Sequence, residues 1–133
     1  MPVKAKFQDF SLSATYIGDK AAPFSDENYN NHRITVTGPT GKKCSFEFWS
    51  SLVNPEIRSP KEVVEAFQCF VSDATSGLQG FEEFCSELGY DTDSRAAERT
   101  HKACQLAAKK LGRIYQGDLY ELHNDLIELE NNY

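Results

Sequence analysis

No two of the four cysteines in this 133-residue chain stand three positions apart, so the paired ligands of common zinc sites and the redox-active C-x-x-C turn are excluded. There is no run of 18 apolar residues, which excludes a membrane-spanning helix. The basic start Met1–Lys6 is not followed by an apolar stretch, so a secretory signal is not expected. Repeats, low-complexity tracts and interdomain linkers are missing, and one domain over residues 1–133 is the expectation. A phosphate loop is missing as well. Gly38-Pro39-Thr40-Gly41-Lys42 has two residues between its glycines where that motif needs four, and strand-forming residues follow where a helix should begin. Positive charge is in deficit: 14 Lys and Arg against 20 Asp and Glu leave a net charge of −6, which argues against a general nucleic-acid binder.

What the chain does have is core material. Hydrophobic residues make up 40% of it, with nine Phe, six Tyr and one Trp. Cys69, Cys85 and Cys104 lie beside Phe or Ala on apolar stripes, as small hydrophobes do, so with Cys44 they are expected to be reduced thiols of a cytoplasmic protein.

Residues 10–17 alternate, with Phe10, Leu12, Ala14 and Tyr16 on one face, and read as a strand. Residues 18–31, rich in Asp, Asn, Gly and Pro, read as a loop. Residues 32–37 form a second strand, and residues 42–50 a third, with Cys44, Phe46 and Phe48 facing one way. Gly38–Gly41 is the hairpin turn between them.

From residue 55 the period turns helical. Ser59-Pro60-Lys61-Glu62 is a capping box with Pro at the first helical position, and an apolar stripe follows to about Asp73 before Thr75-Ser76-Gly77. A short helix is predicted over 80–88 with Gly89 as its stop. A long helix follows, capped from within Asp91–Ser94, with Thr100, Cys104, Ala107, Leu111 and Ile114 along one side and Gly117 at its end. Asp118 opens a last helix marked by Leu119, Leu122, Leu126 and Leu129. Strands first and helices after read as α+β: an N-terminal three-stranded antiparallel sheet followed by about four helices.

His101 and Cys104 share a helix face, and Cys85 is a third ligand only if helices pack suitably. One loose pair is poor evidence for a metal, and a partly exposed His beside a core Cys is the expectation. Asp91 and Asp93 lack the remaining ligands of a calcium loop and read as helix caps. No motif joins a nucleophile to a base, so no catalytic residue, cofactor or metal is assigned, and an enzyme is not expected. Charge segregation is the most informative feature. Five acids and no base lie between Glu82 and Asp93, six bases and one acid between Arg95 and Arg113, and five acids and no Lys or Arg from Asp118 onward. Internal neutralisation is the plainer account; an acidic surface for a Lys/Arg-rich partner is the functional one.

The segment Phe81-Glu82-Glu83-Phe84-Cys85-Ser86-Glu87-Leu88-Gly89-Tyr90-Asp91-Thr92-Asp93-Ser94-Arg95, continuing to Cys104, resembles a family of small proteins encoded by bacteriophages and other mobile elements. The hairpin ending Phe46-Glu47-Phe48-Trp49 fits it too, and Gly-Tyr-Asp-Thr-Asp-Ser-Arg is the specific part. The resemblance implies a phage accessory protein in a bacterial host cytoplasm and carries no catalytic residues with it. Small acidic phage proteins include inhibitors of host defence, anti-CRISPR proteins among them. The expected function is therefore inhibition of a host defence nuclease by direct binding, through acidic mimicry of nucleic acid. The expected partner is a host defence protein or ribonucleoprotein complex, with no membrane and no direct nucleic-acid contact. Partner-binding candidates are Asp91, Asp93, Arg95 and Arg99 at the acidic–basic junction, and Asp118, Glu121, Asp125 and Glu128 along the last helix. The alternative is a nucleic-acid-binding accessory protein that uses the basic helix 95–113, with Trp49, Phe48 and Tyr90 as stacking groups.

Overall fold

The computed structural model describes residues 2–21, 28–51 and 57–131. It is an α+β fold of four strands, β1 (Val3–Phe7), β2 (Phe10–Ala21), β3 (Asn28–Thr37) and β4 (Lys43–Ser51), followed by four helices, α1 (Pro60–Gly77), α2 (Phe81–Leu88), α3 (Arg95–Ile114) and α4 (Leu119–Asn131). The chain divides into two compact units, Met1–Phe67 and Gln68–Tyr133, with the boundary inside α1. Among the described residues, no helix is long and apolar enough to cross a membrane.

The sheet is an antiparallel meander in the order β1-β2-β3-β4, so it has four strands where the sequence pattern predicts three. The extra strand is β1, paired from Val3↔Ala14 to Phe7↔Phe10. Its alternation is real but written in Lys and Ala, which are poor strand formers. Its turn, Gln8-Asp9, places Gln8 at φ 53 without the glycine that normally announces such a turn. The expected loop over 18–31 is a second correction. β2 runs on to Ala21 and β3 starts at Asn28, so of that stretch only residues 22–27 lie outside the described ones. The strands stay paired past Ile17 through a bulge between Tyr16 and Gly18, where Gly18 takes φ 111. Backbone pairing there outweighs the weak strand propensity of Asn and Asp.

Phe10, Leu12, Ala14, Ile34 and Val36 are buried on one sheet face. Phe67 of α1 packs on it, its ring 5.2 Å from Phe10 and 6.5 Å from Phe7. Tyr16, expected on the same face, is 43% exposed where the bulge turns the strand, and rests 5.3 Å from the His32 ring. Gly38–Lys42 is a hairpin turn, closed by Gly38 N–H on the Lys42 carbonyl at 2.8 Å.

The caps form largely as the sequence suggests. Glu62 N–H donates to Ser59 Oγ at 3.4 Å, and the Glu62 carboxylate accepts from Ser59 Oγ and from Arg58 N–H. Gly89 closes α2 at φ 75. α1, however, runs through Thr75 and Ser76 to Gly77, with the Thr75 hydroxyl donating to the Ser72 carbonyl at 2.8 Å.

Gly77, in the second unit, lies against the backbone of α3. A Cβ there would collide with the backbone of Cys104 and Gln105 in α3. Backbone cannot move aside as a flexible side chain can, so Gly77→Ala should lower the unfolding free energy by about 1–3 kcal/mol. Gly112 faces open space on α3, and Gly112→Ala should raise stability by about 0.5–1 kcal/mol. Urea denaturation of the two variants checks both signs.

Candidate functional site

The second unit positions all eight partner-binding candidates. Ser94 is the N-cap of α3 and accepts from Ala97 N–H at 3.2 Å. The capping role expected of Asp91 and Asp93 therefore falls to Ser94, and both carboxylates are exposed. Asp91 contributes its carbonyl, which accepts from Ser94 N–H at 3.0 Å. Arg95 and Arg99 follow, both exposed, on the first turns of α3.

The basic residues of α3 form a geometric set. Arg95, Arg99, Lys102, Lys109 and Arg113, with Leu106 between them, are spaced alternately four and three residues apart and so share one helix face. The stripe is about 27 Å long at 1.5 Å per residue. The opposite face, Ala97, His101, Cys104, Ala107, Leu111 and Ile114, is buried. Thr100, expected on the buried stripe, is only half-buried.

α4 carries the acidic set. Asp118 caps it, its Oδ1 accepting from Tyr120 N–H at 2.9 Å and Glu121 N–H at 3.4 Å. Leu119, Leu122 and Leu126 are buried, while Glu121 and Glu128 are exposed and Asp125 half-buried. α3 ends at Ile114, earlier than Gly117. The Tyr115 ring folds back into the space that a side chain at Gly117 would need. Partial burial pushes the Tyr115 hydroxyl above its usual pKa of 10, and the carboxylates of Glu121, Asp125 and Asp118 push it further. Three of the candidates thus converge on one tyrosine, a neighbour that helical spacing alone does not reveal.

His101 is buried, a correction to the partly exposed residue expected. Its Nε2 lies 2.9 Å from the Gln79 carbonyl, and its ring sits 4.8 Å from Phe84 and 5.5 Å from Phe81. Tyr90 stacks on Phe84 at 6.1 Å. Among the described residues, no three His, Cys, Asp or Glu side chains come together to hold a metal. None of the four cysteines is in a disulfide; Cys85 and Cys104 are buried, whereas Cys69 is exposed rather than on a core stripe. Burial, and then Asp73, raises the Cys104 thiol to about 11; burial, and then Asp91, raises Cys85. Neither is a thiolate near neutrality, which removes their value as nucleophiles.

The first unit holds a feature with no sequence signal. Asn31 is fully buried, and among the described residues neither end of its amide has a hydrogen-bond partner. It stands opposite Gly18 at the bulge and opposite Trp49 on β4.

Compared with family models, curated proteins and solved structures, the chain finds no match in any of the three.

Two measurements test this description. With the proton held more tightly in the folded chain, the stability Tyr115 gives is complete below pH 10 and is lost as pH rises through its folded-state value. Ultraviolet titration should show one tyrosine of high pKa that disappears in Tyr115→Phe and moves back toward 10 in Glu121→Gln/Asp125→Asn. Iodoacetamide at mildly alkaline pH should label Cys69 first and spare Cys85 and Cys104 until the protein is unfolded, as read by mass spectrometry.

Proposed function

We propose that the protein is a phage-encoded binding protein that inhibits a host defence nuclease, of the anti-CRISPR kind, through an acidic helix face. The reading rests chiefly on α4: Asp118, Glu121, Asp125 and Glu128 fall three to four residues apart on one face beside the buried leucines. Carboxylates so spaced suit a Lys/Arg-rich groove built for phosphates, where opposite potentials speed encounter. The junction residues Asp91, Asp93, Arg95 and Arg99 extend the surface that such a partner would meet. Inhibition of this kind needs a surface and no catalytic group.

One observation favours a second reading. The five cations on the exposed stripe of α3 suit a phosphate backbone, as in a nucleic-acid-binding accessory protein.

Capture of partners from a bacterial lysate, followed by mass spectrometry, should recover a nucleic-acid-handling complex. Glu121→Lys/Asp125→Lys/Glu128→Lys should weaken that capture at least tenfold while circular dichroism shows an intact fold. Asp118 is left in place because loss of its cap costs about 1 kcal/mol. Capture undiminished by the triple reversal rules out the α4 face.

A further inference from the structure

Strand register builds a second charged surface, in the first unit, on the sheet face away from Phe67. Lys6, Ser11, Thr37 and Lys43 stand side by side across all four strands, and Lys4, Ser13, Thr35 and Ser45 form the next row. Each row spans three interstrand gaps, about 14 Å, and the rows are about 6.8 Å apart. Lys4, Lys6, Ser11 and Lys43 are exposed and the central hydroxyls half-buried or exposed. Seven residues of these two rows line an open groove of about 760 Å³, together with Ala5, Leu12 and Pro60. Neither row contains a carboxylate. Arg33 and Glu47 occupy the third row and Trp49 the fourth, beside Asn31 and Gly18.

We propose that this groove binds single-stranded nucleic acid. Lysines on both edge strands flank a floor of hydroxyls, and those are the side chains that contact phosphate oxygens without reading sequence. Lysine is depleted at the centres of protein–protein interfaces, and three lysines line this groove. A flexible single strand can bring successive phosphates to the lysines on both edges, which the fixed phosphate spacing of a duplex does not allow. A single strand laid along the β-strands meets Lys4 and Lys6 on one side and Lys43 on the other. Trp49, half-buried, lies at the end of the same face beside the buried Asn31. With three cationic contacts, the logarithm of affinity should fall with the logarithm of salt with a slope of about −2.

Fluorescence anisotropy with a short dye-labelled oligothymidylate at low salt tests this on the full chain. Wild type should bind with that slope, and should prefer the single strand to a duplex of equal length. Lys4→Gln/Lys6→Gln/Lys43→Gln should weaken binding at least tenfold. Lys6→Glu should weaken it measurably. Circular dichroism of each variant separates loss of binding from loss of fold. The proposal is overturned if wild type does not bind at low salt, or if the duplex binds equally well. It is also overturned if the folded triple variant binds like wild type, or if Lys102→Glu/Lys109→Glu on α3 abolishes binding that the sheet variants keep. Sedimentation showing a dimer that the sheet variants dissociate would assign the face to a second copy instead.

Discussion

Phe67 holds its ring 5.2 Å from Phe10 and 6.5 Å from Phe7, and this aromatic contact decides which side of the sheet is dry. Side chains alternate with a period of two along a strand, so fixing one face fixes the other. Once Phe10, Leu12, Ile34 and Val36 are committed to the core, Lys4, Lys6, Ser11, Ser13, Thr35, Thr37 and Lys43 have only the solvent face left. A slip of one residue in β1 would bury two lysines, at a cost far above anything a short edge strand contributes. The basic face is thus as well specified as the core behind it.

The helices of the second unit depend on a different constraint. Gly77 lets the backbones of α1 and α3 approach until a single methyl group would not fit. Close to that crossing, His101 meets the Gln79 carbonyl just after α1 ends, and its ring joins Phe81 and Phe84 in one packed group. A histidine three residues from a cysteine looks in sequence like half a metal site. Here one ring nitrogen is taken up by a carbonyl and the thiol beside it is raised to about 11. The polar residue makes a structural hydrogen bond at a helix junction that only the tertiary fold creates.

That difference separates what could be read from the sequence from what could not. Local signals were legible: the Ser59–Glu62 box, Gly89 as a stop, Asp118 as a cap and the hairpin at Gly38–Gly41 each act within a few residues. β1 was hidden, since its lysines and alanine carry little strand propensity and its turn contains no glycine. The far ends of β2 and β3 were hidden because Asn and Asp pair there through backbone alone. Of the candidate site residues, the spacing on α4 was legible. The gathering of Asp118, Glu121 and Asp125 around Tyr115 was not, because it follows from the turn between α3 and α4. The rows of the sheet needed the register, which no single strand contains.

Net charge is the clearest case of a whole-chain number that misleads. The excess of six negative charges lies entirely in Gln68–Tyr133; Met1–Phe67 carries eight bases and eight acids. Potentials from exposed charges fade over about 8 Å at physiological salt, so a ligand on a surface responds to the groups around it, not to the total. Lysines on edge strands have a second explanation, since they discourage edge-to-edge aggregation. That role favours lysine and concerns the edge strands alone. It gives no reason for the hydroxyls that fill both rows on β2 and β3 between the lysines, nor for two full rows across four strands to contain no carboxylate. Positive charge over a hydroxyl floor, in two rows without a carboxylate, is better explained by a phosphate-bearing ligand than by protection of the edges.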